Sequence, residues 1–272
     1  MEDRRPRPSR PTAVLLAWPN RRDGIAMKML IASLPLFFAL ACFAAPPRTV
    51  SYKSGDDTVE AILYTPEGKG PFPALVVIHE WWGLNDWVKD QAGKLADEGY
   101  VTLAIDLYRG KVATTSEMAH ELTRSLEGKR LMRDLHAAFA FLQSQPSVKP
   151  DRIGSIGWCM GGGFSLDLAL SEPTLAAAVI NYGELETDPE ELKKIHAPIL
   201  GLFGAQDHGI TPEEVRKFEA ALKQMGKPID VTIYPDAGHA FENPRNKDAY
   251  RPADTADAWK RTIAFLASTL KR

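Results

Sequence analysis

The clearest chemical signal in the sequence is the segment Gly157-Trp-Cys159-Met-Gly161, which joins an apolar run to a helical pattern. A Gly-x-Cys-x-Gly pattern in this context is typical of a nucleophile elbow, a tight strand-to-helix turn, with cysteine in place of serine. Side chains at the two glycine positions would collide with neighbouring backbone, and the partial positive charge at the start of the helix favours a thiolate. The pattern predicts Cys159 as a nucleophile, although a buried cysteine on a glycine-rich packing turn has the same sequence.

Two residues further along the chain could complete a catalytic triad with Cys159. An elbow nucleophile needs an acid after one later strand and a histidine after the next strand. Asp207 follows the apolar run 199–204, and His239 follows the run 231–234. We expect His239 to carry the proton between thiol and leaving group, and Asp207 to orient the imidazole. The alternative base is His208, because it directly follows Asp207.

The loop His79–Asn85, after the first long apolar run, is the second informative segment. In an elbow architecture this loop supplies one backbone N–H of the oxyanion hole, and the residue after the nucleophile supplies the other. The predicted pair of amides therefore belongs to Trp81 and Met160. Spacing alone assigns Glu80, near the start of the loop, to a surface carboxylate.

Short apolar runs alternate with helical patterns from Thr49 onward, without an internal repeat or an interdomain linker. The predicted strands are Val59–Tyr64, Ala74–His79, Val101–Ile105, Ile153–Gly157, Leu175–Ile180, Ile199–Phe203 and Val231–Tyr234. The predicted helices are Asp86–Glu98, Ser116–Gln145, Gly162–Ser171, Thr211–Met225 and Asp254–Leu270. This alternation predicts an α/β fold with a mostly parallel central sheet, antiparallel first strands and helices on both faces. Its ligand site should lie at the carboxyl ends of the strands.

Composition excludes several classes of function. The 272 residues include 33 Lys and Arg against 35 Asp and Glu, so no global positive field is available to hold a nucleic acid. Two cysteines, Cys42 and Cys159, are too few for a disulfide framework, an iron–sulfur site or a four-cysteine zinc site. We expect a monomer that acts on a small molecule without a metal or an organic cofactor.

Residues 1–45 differ in character from the rest of the chain. Lys28 precedes an apolar run from Leu30 to Phe43, which is too short to span a membrane and is followed by small residues. This layout is typical of a secretory signal peptide cleaved near residues 41–45. We therefore expect residues 1–45 to be an N-terminal extension with a signal peptide, and residues 46–272 to be one mature domain that does not insert into a membrane. The location would be periplasmic or secreted; the alternative is an uncleaved N-terminal membrane anchor.

Several segments together resemble the dienelactone hydrolase family of the α/β-hydrolase fold. They are Gly157-Trp-Cys159-Met-Gly-Gly, Asp106-Leu-Tyr108, Gly238-His239-Ala-Phe241, Asp207, and Glu80 after the strand-ending His79. The resemblance spans about residues 50–270 and implies an α/β-hydrolase domain without a separate cap domain. It also implies a triad of Cys159, Asp207 and His239, together with a Glu80 that contacts the resting cysteine and helps to generate the thiolate.

The resemblance also implies candidate substrate-binding residues, namely Tyr108, Arg109, Tyr182 and Arg245. Family members of the chlorocatechol pathway clamp the carboxylate of their lactone with two arginines. In this sequence Arg109 lies one place earlier than the first arginine, and Asn243 stands at the place of the second, with Arg245 nearby. The implied function is hydrolysis of a small carboxylic ester or lactone through a cysteine acyl-enzyme. The alternatives are a thiol acyltransferase or a peptidase on the same fold, and a non-catalytic binding module.

Overall fold

The computed structural model describes residues 46–272, and within this range the strands form one eight-stranded sheet. The strands are β1 (Arg48–Ser54), β2 (Asp57–Tyr64), β3 (Phe72–Ile78), β4 (Val101–Ile105), β5 (Val148–Trp158), β6 (Ala177–Asn181), β7 (Ile199–Gly204) and β8 (Ile229–Tyr234). The helices are α1 (Asp86–Asp97), α2 (Ser116–Arg124), α3 (Gly128–Gln143), α4 (Met160–Ser171), α5 (Pro189–Leu192), α6 (Pro212–Gln224) and α7 (Pro252–Leu270). The predicted signal peptide within residues 1–45 lies outside the described residues.

The sheet is antiparallel at one edge and parallel elsewhere. Its strands lie in the order β1-β2-β4-β3-β5-β6-β7-β8. β1 and β4 both pair antiparallel with β2, whereas the pairs from β4 through to β8 are parallel. Every residue of β4, β6 and β7 is buried, as expected for parallel strands covered on both faces. The predicted mostly parallel sheet with antiparallel first strands is confirmed.

Helices cover both faces of the sheet and form two apolar cores. α1 and α7 pack on one face, where Leu266 belongs to the same buried cluster as Val77 of β3. α3 and α6 contribute Leu135 and Phe218 to a second cluster, which also contains Val76. Adjacent residues of a strand point to opposite faces, so Val76 and Val77 join different cores. The predicted placement of helices on both faces is confirmed.

Three elements differ from the sequence prediction. The helix predicted over residues 116–145 is two helices, α2 and α3, because the chain turns at Ser125, whose hydroxyl donates to the carbonyl oxygen of Leu122. β1 is not among the predicted strands, since it is an edge strand that exposes most of its residues and so lacks an apolar run. α5 has four residues, too few for a helical period to be visible in the sequence.

The parallel strands end at the same edge of the sheet, and four of the candidate residues follow these strand ends. Glu80 follows β3, Cys159 follows β5, Asp207 follows β7 and His239 follows β8. The carboxyl edge of a parallel sheet is where loops from distant parts of the chain converge. None of the helices within residues 46–272 combines the length and the apolar content that a membrane span requires.

Candidate active site

Cys159 occupies the turn between β5 and α4 in a backbone conformation that few residues adopt. Its φ of 53° and ψ of −121° lie outside the broad allowed regions, a strain that is common at functional turns. Its N–H donates to the carbonyl oxygen of Asn181 at 3.0 Å, and its own carbonyl oxygen accepts from the N–H groups of Gly162 and Gly163. These bonds hold the turn. They leave the Cys159 side chain half-buried, free of a disulfide, and on the wall of a cleft.

The two glycines of the elbow are required by close backbone approach. A Cβ atom on Gly157 would lie 1.9 Å from the carbonyl oxygen of Gly161. A Cβ atom on Gly161 would lie 2.4 Å from the carbonyl oxygen of Ile78. Both distances are far below any van der Waals contact. The predicted collision of side chains with neighbouring backbone is confirmed at both positions.

Asp207 and His239 form a hydrogen-bonded pair beside Cys159. The Oδ2 atom of Asp207 lies 2.7 Å from Nδ1 of His239. The other carboxylate oxygen accepts from the N–H groups of Gly209 and Ile210 at 2.8 Å and 3.1 Å. With both oxygens engaged, the carboxylate is held in one orientation and keeps Nδ1 of the imidazole protonated. The alternative base, His208, is exposed to solvent, whereas Asp207 is paired with His239.

The electrostatics of this pair favour an imidazolium at His239. Burial alone would disfavour the charged ring, but the hydrogen bonds that the ring donates to Asp207 and Cys159, and the charges of both groups, raise the pKa of His239 to about 10. Burial of Asp207 acts in the direction of a higher pKa, and the bonds from His239, Ile210 and Gly209 outweigh it and lower the pKa of that carboxyl. The pair can therefore take up the proton of a neighbouring thiol and hold it.

His79 orients the loop that carries the predicted oxyanion-hole amide of Trp81. The N–H of Leu107 donates to Nε2 of His79 at 3.3 Å, so the ring proton is on Nδ1, which donates to the carbonyl oxygen of Glu80 at 2.6 Å. Burial lowers the pKa of His79 and keeps the ring neutral. Because the C=O and N–H of one trans peptide point in opposite directions, this bond also sets the direction of the Trp81 N–H.

Tyr108 connects the two residues that carry the predicted oxyanion-hole amides. Its hydroxyl lies 3.1 Å from the carbonyl oxygen of Trp81 and 3.4 Å from the sulfur of Met160. The hydroxyl of Thr123, on α2, lies 2.9 Å from the same oxygen. Tyr108 is buried and does not line the cleft, so its contacts support the loop and the start of α4. Its role in binding substrate stays a prediction.

Glu80 is a buried carboxyl group on the cleft wall. Its side chain is 1% exposed, unlike the surface carboxylate that spacing alone indicated. The Nδ2 atom of Asn243 donates to its Oε2 at 2.6 Å. Burial raises the pKa of Glu80 to about 7, opposed by the Asn243 bond and by the charge of His239. Glu80 and Cys159 line the same cleft, so the carboxyl can exchange a proton near neutral pH close to the thiol.

The cleft has a volume of about 800 Å³, which suits a small organic molecule. Apolar groups form one part of its wall and polar groups form the other. The lining residues are Glu80, Trp81, Trp82, Asn85, Val112, Ala113, Thr114, Cys159, His239, Ala240, Asn243, Arg245 and Asn246. Of the predicted site residues, the structure therefore brings Cys159, His239, Glu80, Trp81 and Arg245 to one cavity, with Asp207 behind His239.

Arg109 and Tyr182, two of the predicted substrate-binding residues, do not line the cleft. The Nη2 atom of Arg109 forms an ion pair with the buried Oδ2 of Asp134 at 2.7 Å, and Nη1 donates to the carbonyl oxygen of Asp106. Tyr182 is fully buried next to His239, with ring centroids 5.4 Å apart. Arg245 is exposed at the rim, 3.9 Å from Asp86. The roles of Arg109 and Tyr182 in binding substrate stay predictions, and neither residue lines the cavity.

Sequence reasoning did not include Trp82, Asn243 or Glu242 among the site residues. Trp82 packs edge-on against Trp81 at 4.9 Å and lines the cleft. Asn243 holds Glu80, and Glu242 accepts from the indole N–H of Trp158 at 3.2 Å. For Glu242 and Asn243 an available signal was their position directly after His239-Ala-Phe241, in a loop that must stay close to Cys159 if His239 is to act on it.

Comparisons with known proteins agree with this geometry. The model of the dienelactone hydrolase family matches residues 59–270. A Methylorubrum extorquens protein assigned as a carboxymethylenebutenolidase is 33% identical over 220 residues, 76% of this chain and 75% of its own. The crystal structure of dienelactone hydrolase from Anabaena variabilis superposes with a TM-score of 0.62 at 26% identity, covering 83% of this chain and 100% of that chain. A dienelactone hydrolase-like promiscuous phosphotriesterase from metagenomic libraries superposes with a TM-score of 0.77 at 25% identity, covering 84% and 99%.

These similarities extend over most of the described residues and over most of each relative. They confirm the α/β-hydrolase fold and a hydrolase of the carboxylic-ester type. The chain belongs to the dienelactone hydrolase family.

Proposed function

We propose that the protein hydrolyses small carboxylic esters or lactones through a covalent acyl-enzyme on Cys159. The observation that carries this proposal is the placement of the cysteine on the elbow, facing an imidazole that is hydrogen-bonded to Asp207 at 2.7 Å. A thiolate beside an imidazolium is an activated nucleophile, and the carboxylate keeps the ring in the tautomer that the reaction needs.

The proposed reaction has two halves. The Cys159 sulfur attacks the carbonyl carbon, and the new oxyanion accepts from the backbone N–H groups of Trp81 and Met160. The C–O bond to the leaving alcohol then breaks, and the His239 imidazolium gives its proton to the departing oxygen. In the second half His239 takes a proton from water, the hydroxide attacks the thioester carbon, and the C–S bond breaks to release the carboxylic acid and the thiolate.

The residues of the cleft wall favour the binding of substrates that carry little or no charge. Trp81, Trp82, Val112 and Ala113 provide an apolar surface near the nucleophile. Arg109 is held by Asp134 and is not available to clamp a carboxylate, and the exposed Arg245 lies at the rim. We therefore expect a neutral ester to be turned over with a higher kcat/KM than an ester of the same size that carries a carboxylate on its acyl group.

The test uses the Cys159→Ala and Cys159→Ser variants. We expect Cys159→Ala to abolish hydrolysis of p-nitrophenyl acetate while the protein stays folded by circular dichroism. Cys159→Ser should retain only a small fraction of the activity, because a hydroxyl ionises far less readily than a thiol. Turnover at the parental rate by Cys159→Ala would exclude the acyl-enzyme. Parental protein without esterase activity would favour a non-catalytic binding module, whereas esterase activity that iodoacetamide does not inhibit would argue against Cys159 as the nucleophile.

A further inference from the structure

A second acidic residue, Glu242, lies buried behind the cleft next to Glu80. Glu80 follows β3 and Glu242 lies three residues after His239, and their side chains are 1% and 9% exposed. Asn243, the residue directly after Glu242, donates to Oε2 of Glu80, so the chain brings the two carboxyl groups close together although 162 positions separate them in the sequence. The site therefore holds a pair of buried carboxyl groups.

Each carboxyl group has one side-chain donor on one of its oxygens. Asn243 donates to Oε2 of Glu80 at 2.6 Å, and the indole N–H of Trp158 donates to Oε2 of Glu242 at 3.2 Å. Oε1 of both carboxyl groups and the hydroxyl of Tyr182 are buried without a hydrogen bond of normal geometry among the described residues. The charges of both carboxyl groups act on the Tyr182 hydroxyl, which places it near the pair.

The surroundings do not neutralise two negative charges. The groups that act on Glu80 are Asn243, the imidazolium of His239 and the Tyr182 hydroxyl. Those that act on Glu242 are the Trp158 indole and Glu80, and neither set includes a lysine or an arginine. Two adjacent buried carboxyl groups in this setting cannot both ionise near neutral pH, because burial and mutual repulsion both favour a proton on one of them.

The two carboxyl groups differ in their ability to carry the charge. Glu80 has the shorter hydrogen bond and faces the imidazolium, and burial raises its pKa to about 7. Burial, together with the charge of Glu80, raises the pKa of Glu242 to about 8. The proton that the pair retains at neutral pH therefore belongs mainly to Glu242.

We propose that Glu242 is a positioning residue that acts on Cys159 through Glu80: it keeps its proton, so that the buried pair carries a single negative charge, on Glu80, when the nucleophile is used. Glu242 transfers no proton and contacts no substrate. Its protonated form accepts the indole N–H of Trp158, the residue directly before the nucleophile. This inference rests on the proposed role of Cys159 as nucleophile.

A pH-dependent consequence follows. When Glu242 loses its proton in alkaline solution, a second negative charge appears near Glu80 and Tyr182. The titratable groups around this charge are Glu80, Tyr182 and Tyr234, and beyond them Cys159 and His239. The added charge opposes a thiolate at Cys159. The reactivity of the thiol should therefore rise less steeply with pH once Glu242 has ionised.

The test is the rate of Cys159 alkylation by iodoacetamide between pH 6 and pH 10, in the full chain. We expect the wild-type rate to rise less steeply above about pH 8 than the rate of Glu242→Gln, so that in this range the variant reacts about threefold to tenfold faster than the wild type. The matched control is Glu67→Gln, an exposed carboxyl, whose profile should superimpose on that of the wild type.

A second variant keeps the inference testable if Glu242→Gln folds poorly. Trp158→Phe removes the indole N–H that stabilises ionised Glu242, so the less steep rise should begin at higher pH. Superimposable profiles of wild type and Glu242→Gln would overturn the proposal. The proposal would also be overturned if Glu242→Gln changed the alkylation rate by the same factor at every pH, since that would indicate a purely structural role. A change of slope that moved to lower pH in Trp158→Phe would overturn it as well.

Alkylation requires no substrate, so the two proposals can fail separately. Wild-type protein that does not hydrolyse esters, but shows the expected difference between alkylation profiles, would refute only the proposed function. Esterase activity that depends on Cys159, combined with superimposable alkylation profiles, would refute only the role of Glu242.

Discussion

Replacing Gly157 by alanine should damage the nucleophile elbow more than any other single methyl group added there. The new Cβ atom would lie 1.9 Å from the carbonyl oxygen and 2.3 Å from the carbonyl carbon of Gly161. Contacts of Cβ atoms below 3.0 Å are essentially never found, so the first turn of α4 must move by about 1.1 Å relative to β5. The start of this helix carries Cys159 and the Met160 amide. We expect a loss of more than about 3 kcal/mol in the free energy of unfolding, at or beyond the upper end for overpacking.

The loss of activity should be larger than the loss of folded protein can explain. Catalytic groups displaced by about 1 Å cost about 100-fold in rate, so kcat for p-nitrophenyl acetate should fall at least that far in the folded fraction. The matched control is Gly163→Ala, in the same helix, where the nearest atom to the new Cβ is the backbone nitrogen of Glu184 at 3.4 Å. Alanine is the better helix former, so this variant should be neutral or up to about 1 kcal/mol more stable.

Urea unfolding and esterase assays on the two glycine variants test this prediction of lost stability and lost turnover. Parental stability and turnover in Gly157→Ala would refute the reasoning, because α4 would then have moved at no cost. An equally large loss in Gly163→Ala would show that the helix tolerates no added methyl group, rather than that the elbow needs its glycine.

Four further predictions concern the acids of the site and the N-terminal segment. Asp207→Asn should lower kcat by about 10⁴-fold, because an amide can present its NH₂ to the imidazole of His239 and favour the wrong tautomer; a loss below tenfold would contradict this role. Glu80→Gln should shift the alkylation profile of Cys159 to lower pH and reduce ester turnover, whereas unchanged values would show that the carboxyl does not act on the thiol. Since burial raises the pKa of Glu80 from 4.5 to about 7, the wild type should also lose stability as pH rises through this interval, and urea unfolding of Glu80→Gln should show a smaller loss, because Glu242 still contributes to it. We also propose export, with a mature N-terminus between residues 42 and 47; N-terminal sequencing of protein from the native host tests it, and an intact Met1 or Met27 in the cytoplasmic fraction would disprove it.

Most elements of the fold could be predicted because the sequence patterns that indicate them extend over only a few neighbouring residues. The buried strands are apolar runs of strand length, and the helices between them repeat apolar residues every three or four positions. The boundary between α2 and α3 escaped prediction because the apolar period continues across the turn at Ser125. β1 escaped because an edge strand with exposed residues has no apolar run to detect.

The positions of Cys159, Asp207 and His239 could also be predicted, since each follows a recognisable strand and their order along the chain is constrained. The burial of Glu80 could not be predicted from spacing, which indicated a surface residue. Its burial depends on Asn243, which is 163 residues away in the sequence. Only the resemblance to a family indicated that this carboxyl belongs to the site.

The sequence by itself therefore determined the order of the elements, the elbow with its two required glycines, and the residue types of the candidate catalytic groups. The tertiary structure alone decided which polar and charged side chains form ion pairs and hydrogen bonds with one another. Arg109, a candidate for binding substrate, is paired with Asp134, and Glu242, which is not among the predicted site residues, accepts from the indole of Trp158, 84 positions earlier. The physical reason is that backbone conformation and apolar periodicity act over a few residues, whereas the charge state of a buried group depends on every side chain packed around it, wherever that side chain lies in the sequence.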